Sequence, residues 1–121
     1  MPDTSVQDSI LDSIKKLLQI EPDYDEFDVD IMIHINSVFS TLFQIGVGPQ
    51  TAAFRITSQA NAWSEFIGDD SFLEEVKSYI YLRVKRLFDP PETSYGGDAF
   101  KDQLKEMEWR LQTYSPNAVY E

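Results

Sequence analysis

Apolar side chains recur every three or four residues along most of the chain, and the recurrence divides it into four long segments. In the first, about Ser5 to Gln19, residues Val6, Ile10, Leu11, Ile14, Leu17 and Leu18 draw one stripe along a helix. Ser5 is placed to cap it, with Asp8 three residues on, close to capping-box spacing. Lys15 and Lys16 stand near its C-terminal end, where the helix dipole favours cations, and Pro22 is expected to stop it. The second segment runs from about Asp28 to Ile45. Its stripe is Ile31, Ile35, Val38, Leu42 and Ile45, and Met32, Phe39 and Phe43 widen it to nearly half the circumference. That breadth predicts a central helix with several neighbours. Gly46 is the expected residue just past its end, and Gly48-Pro49 prevents continuation.

The third segment, about Phe72 to Phe88, follows the cap-forming run Asp69-Asp70-Ser71 and carries the stripe Leu73, Val76, Ile80, Val84 and Leu87. Glu74 and Glu75 at its start and Arg83, Lys85 and Arg86 at its end complement the dipole, and Asp89-Pro90-Pro91 ends it. In the last, about Gly97 to Tyr114, Phe100, Leu104, Met107, Leu111 and Tyr114 form a narrow seam. Glu106 and Arg110 are spaced for an i,i+4 pair, and Pro116 closes the pattern. Between the second and third segments, Phe54-Arg55-Ile56 suits a short extended piece, and Ser58 to Ile67 suits a two-turn helix. No alternating strand pattern appears. The expected fold is all-α: four main helices plus a short helix between the second and third. Residues 1–114 form a single domain, and 115–121 a flexible C-terminal tail.

Charge sharpens this picture. Among 121 residues, 21 acids against 10 Lys and Arg leave a net charge of −11. Such a balance argues against general nucleic-acid binding and against docking on anionic lipid, both of which need a basic face. The acids are concentrated: nine precede residue 31, opposed by Lys15 and Lys16. With no cysteine and one histidine, disulfides, thiolate chemistry, Cys-based metal sites and multi-His sites within one chain are excluded. Met1-Pro2-Asp3-Thr4-Ser5 lacks a basic or apolar leader pattern and no apolar run approaches membrane-spanning length, so the chain is expected to be made and kept in a cytoplasm.

No catalytic arrangement survives inspection. Gly46-Val47-Gly48 opens like a dinucleotide loop, but Thr51 stands at the third glycine position and no strand precedes it. The acidic run from Asp23 to Asp30 fails as a calcium loop: Phe27, Asp28 and His34 fall where a ligand, a glycine and a bidentate glutamate are required. A solvated acidic face over a helix N-terminus is the better reading. His34 and Asp30 share a helix face, without a nucleophile to activate. No catalytic residue, metal or cofactor is therefore expected. Trp63, Trp109, Tyr79, Tyr81 and Tyr114 are read as core or interface anchors. Arg83, Lys85 and Arg86 serve either helix capping or a contact to a partner's acidic surface.

Three pieces, in this order, carry a resemblance. They are Phe27-Asp28-Val29-Asp30-Ile31-Met32-Ile33-His34-Ile35-Asn36-Ser37 with Gly46-Val47-Gly48-Pro49; Trp63-Ser64-Glu65-Phe66-Ile67 with Leu87-Phe88-Asp89-Pro90-Pro91; and Leu104-Lys105-Glu106-Met107-Glu108-Trp109-Arg110-Leu111. Over roughly Ile10 to Tyr114 the chain resembles the head–tail connector (adaptor, head completion) proteins of tailed bacteriophages and prophages. The resemblance implies a non-catalytic subunit of the virion's head–tail interface, made in the bacterial cytoplasm. It implies a ring, usually dodecameric, beneath the portal protein, with a stopper or tail-completion protein as the further partner. Double-stranded DNA would pass through without sequence-specific binding. By the same analogy the tail, with Val119 and Tyr120, attaches to the portal, and Arg83, Lys85, Arg86 and Trp109 join it as candidate portal or subunit contacts. The alternative is an acidic phage-encoded inhibitor that mimics DNA and binds a host DNA-binding protein. Clustering of the acids before residue 31 and mixed signs later in the chain disfavour it.

Overall fold

A computed structural model describes residues 9–49, 51–66, 71–88 and 94–114. Among them lie four helices, α1 (Ile10–Leu17), α2 (Asp28–Gln44), α3 (Ser71–Phe88) and α4 (Ser94–Tyr114), and a 3-10 turn at Trp63–Glu65. No strand occurs among the described residues; a single antiparallel bridge joins Ser9 to Ala62. The all-α expectation therefore holds, while the tail beyond Tyr114 lies outside the described residues. Helix α3 is the hub. α2 and α4 pack along it, and α1 fits against α2 and α3.

The predicted stripes become the core. Ile31, Ile35, Val38, Phe39 and Leu42 of α2 meet Leu73, Val76, Ile80 and Val84 of α3, and Leu104, Met107 and Leu111 of α4 are buried as well. Burying such side chains stabilises by about 1.5–3 kcal/mol each. Two stripe residues depart from expectation: Leu17 and Leu87 are exposed. At the end of α3 the next residue, Phe88, turns inward in place of Leu87 and packs edge-on against Phe27, ring centroids 5.3 Å apart.

Helix α1 is shorter at both ends than its pattern predicts. Its cap is Ser9, not Ser5: Ser9 is extended (φ −67°, ψ 126°) and its Oγ accepts from the Asp12 N–H at 3.1 Å. The backbone leaves the helix there because the 51–66 segment captures it. Ser9 Oγ donates to the Gln59 carbonyl at 2.8 Å, and the Ile10 N–H donates to the Asn61 carbonyl at 3.0 Å. Ser5 and Val6 lie outside the described residues. At the other end the stop is Gln19, three residues before Pro22. Gln19 has φ 67°, its N–H donates to Lys16, and the Ile20 N–H donates to Lys15. This is a Schellman closure built on a residue with a side chain. The end of α2 repeats it with the expected glycine: Gly46 has φ 88°, and the N–H groups of Gly46 and Val47 donate to Phe43 and Leu42. Left-handed backbone costs an L-residue about 1–2 kcal/mol, partly offset by the freedom that glycine adds to the unfolded chain. Gln19→Gly is therefore expected to raise stability by about 0.5–1 kcal/mol in urea denaturation; an unchanged or lower midpoint would mean that the Gln19 side chain itself stabilises the turn.

The two-turn helix expected over Ser58 to Ile67 shrinks to the Trp63–Glu65 turn. Asn61 Oδ1 accepts from the N–H groups of Thr57 and Ser58 at 2.8 and 3.2 Å, drawing that backbone away from helical bonding. Glu65 Oε2 then takes the Ala62 N–H at 3.1 Å. Phe54-Arg55-Ile56 is irregular and has no strand partner among the described residues. Asn36 of α2 serves instead: its Oδ1 accepts from the Ile56 N–H at 2.7 Å and its Nδ2 donates to the Ile56 carbonyl at 3.0 Å.

Candidate functional site

Helix α4 runs back along α3, so that Glu108 meets Arg83 and Arg110 meets Glu75. Arg110 therefore ion-pairs across the seam, at 3.8 Å, rather than with the expected Glu106. At the centre Tyr79, fully buried, donates its hydroxyl proton to Glu108 Oε2 at 2.6 Å. Arg83 donates to the same hydroxyl at 3.0 Å and to the same carboxylate oxygen at 3.2 Å. Burial first, then the hydrogen bond to Glu108, pushes the Tyr79 phenol far above its ordinary range, so it remains a neutral donor. This triad holds Arg83 and Glu108 in fixed positions along the seam.

Beside the triad opens a groove of about 270 Å³, lined by Arg83, Arg86, Lys101, Leu104, Lys105 and Glu108. Four cations face one carboxylate there, and that carboxylate is already bound by Tyr79 and Arg83. In a chain of net charge −11 this is a local excess of positive charge. Its guanidinium and ammonium groups suit carboxylates or phosphates as ligands.

Of the residues singled out in sequence, Arg83 and Arg86 reach this groove, and Lys85 does not line it. Trp109 lies on α4 one turn beyond Lys105 and is 61% exposed, which makes it a surface residue and not a core anchor. Tyr79 and Trp63 are core, Trp63 donating its indole N–H to Ser13 Oγ at 2.9 Å. Val119 and Tyr120 lie outside the described residues. Lys101, Lys105 and Glu108 were not foreseen. Their signal was present as positions flanking the Leu104–Met107–Leu111 seam, but which neighbour they face depends on how α4 docks.

A second charged region surrounds the start of α2. Lys15, read in sequence as a dipole partner, is fully buried. Its Nζ donates to the carbonyls of Pro22 (2.9 Å) and Tyr24 (2.7 Å) and pairs with Asp28 Oδ1 at 2.7 Å. That Asp28 oxygen makes no hydrogen bond of good geometry and takes its compensation from the ammonium charge. Asp28 thus leaves the solvated acidic face; Asp23, Asp25, Glu26 and Asp30 remain on it. Burial raises the Asp12 carboxyl above the ordinary range, Lys15 lowers it in part and Asp28 raises it again. An acid whose folded pKa is raised opposes folding once ionised. Asp12 therefore subtracts stability near neutral pH, and the penalty is relieved as pH falls through its folded value. His34 is half-buried on α2, and no ion pair joins it to Asp30 among the described residues. Among those residues no three Asp, Glu or His side chains gather to hold a metal, and no helix is long and apolar enough to cross a membrane.

The family model described as Phage connector protein matches residues 10–118, a span that takes in all four helices. No curated protein and no solved structure matches the chain.

Proposed function

The chain belongs to the phage connector protein family, and from that membership we propose that it is a non-catalytic head–tail connector subunit of a tailed phage or prophage virion. In this reading copies form a ring, usually of twelve, beneath the portal. The ring extends the DNA channel and docks the stopper or tail. The family match over residues 10–118 carries the proposal. The charge supports it: subunits of net charge −11 repel phosphate, so DNA passes without adhering. The tail from Ser115 to Glu121 takes the role of portal attachment, with Val119 and Tyr120 as anchors. Tyrosine offers large contact area at low entropic cost. The DNA-mimic reading is not favoured, because the groove between α3 and α4 sets four cations on the surface of a protein that would have to imitate phosphates.

Self-repulsion at −11 opposes assembly until a partner offsets it. Native mass spectrometry is therefore expected to find the isolated protein monomeric or weakly associated, and a ring once the cognate portal is added. Failure to bind the portal at any ionic strength would remove the connector reading.

A further inference from the structure

The charge on this molecule is divided between two sides of α3. α1, α2 and the acidic turn between them lie on one side, and α4 with the basic groove packs on the other. On the first side Asp25, Glu26 and Asp30 are exposed around two bare aliphatic residues, Val29 (65% exposed) and Ile33 (59%). Val29 and Asp30 lie four and three residues before Ile33 in α2, the spacing of one helix face, and Asp25 and Glu26 stand just before the helix begins. The nearby cation Lys15 does not neutralise this face, because it is turned inward onto Asp28 and two carbonyls. On the second side the groove carries Arg83, Arg86, Lys101 and Lys105, and the exposed Trp109 follows Lys105 by one turn. Each side therefore pairs an apolar anchor with a cluster of one sign, and the signs are opposite. Among the described residues no ion pair joins the two clusters within the chain.

We propose that the partner of the α3–α4 groove is the acidic face of α2 on a second copy of this chain, with Trp109 of one copy against Val29 and Ile33 of the next. The inference rests on the connector reading and names the contact between neighbouring subunits. Aromatic anchors beside complementary charge are the usual composition of such contacts. The two surfaces differ, so the contact is heterologous: each copy uses its groove on one neighbour and its acidic face on the other. Repetition of such a contact produces a ring when the rotation closes. The charge contribution weakens with salt, which keeps the isolated protein weakly associated at physiological ionic strength.

Two charge reversals on exposed residues of the full-length chain test this: Lys101→Glu with Lys105→Glu on the groove, and Asp25→Lys with Asp30→Lys on the acidic face. Sedimentation velocity at low ionic strength, over a concentration series, is expected to show the wild-type mass rising with concentration and falling with added salt. Each reversed variant alone should associate roughly tenfold more weakly or not at all. In an equimolar mixture the unchanged face of one variant meets the unchanged groove of the other and the reversed groove meets the reversed face, so association is expected to return with the two variants in one-to-one ratio. Thermal melts by circular dichroism confirm that each variant is folded, and either variant suffices for the single-variant comparison if the other is not. Four results overturn the proposal: a wild type that stays monomeric throughout, association that survives both reversals, a mixture that does not pair, or a groove reversal that abolishes portal or DNA binding while self-association is unchanged. Portal binding of the wild type is measured separately. If the portal is bound and the reversal pattern fails, this contact falls and the connector reading stands; if the pattern holds and the portal is not bound, the connector reading falls.

Discussion

Lys15→Ala is expected to cost the fold about 3–5 kcal/mol, the usual penalty for removing one member of a buried ion pair. The reason is the completeness of the Lys15 site. Two acceptors, the carbonyls of Pro22 and Tyr24, and the counter-charge of Asp28 surround an ammonium with no solvent exposure. Removing the ammonium leaves a largely buried carboxylate without its counter-charge and two carbonyls without their donor. It also releases the turn that carries α1 into α2. Because the two carbonyls stay orphaned whatever stands at position 28, adding Asp28→Ala should recover part of the loss and not all of it. Urea denaturation of the two single variants and the double variant measures this directly. A Lys15→Ala loss below about 1 kcal/mol would mean that water replaces the ammonium without penalty.

Gly48→Ala is expected to be nearly as severe, at about 2–4 kcal/mol, from a left-handed backbone and an overpacked core acting together. Gly48 has φ 88°, and a Cβ there would sit 2.3 Å from Phe66 Cε1 and 2.6 Å from Cζ. The ring cannot easily yield. Phe66 is buried, and its centroid lies 4.7 Å from that of Phe39 and 5.3 Å from that of Phe54. Calorimetric melting of the variant reports the loss. A drop in melting temperature no larger than that of an ordinary surface substitution would show that the three rings can shift together.

The contrast between these two sites shows what was legible in the sequence. Gly48 was visible as punctuation beside Pro49, and the helix it follows was located to within a residue at either end. Its role under Phe66 was not visible, because that depends on a ring eighteen positions away. Periodicity identified α2, α3 and α4 because each buries a long stripe against a neighbour. It failed where side chains bind backbone instead: at Ser9 and Asn61, whose hydrogen bonds end or replace helix, and at Asn36, which holds Ile56 in an irregular segment, none of them leaving any hydrophobic rhythm. Lys15 was misjudged for a related reason. A lysine on the edge of an apolar stripe reads as solvent-facing until the following turn folds over it and supplies acceptors. The groove was half legible: Arg83 and Arg86 are adjacent in one helix, whereas Lys101 and Lys105 join them only through the antiparallel docking of α4.

The bridge from the 51–66 segment to the first helix bears on how the chain is made. α1 has eight residues, below the roughly 12–15 that a helix needs to persist alone in water. Its start is held by Asn61 and Gln59, and Ser13 takes the indole proton of Trp63, partners 50 residues ahead for Ser9–Gln59 and for Ser13–Trp63. α1 therefore settles only after a segment 50 residues further along has been made. Until residues 59–63 have emerged it has neither its cap partners nor the tryptophan that covers it. At a synthesis rate of about 5–20 residues per second, that leaves Ile10, Leu11 and Ile14 uncovered for several seconds. The acidic residues around them, which repel neighbouring nascent chains, stand guard over that interval.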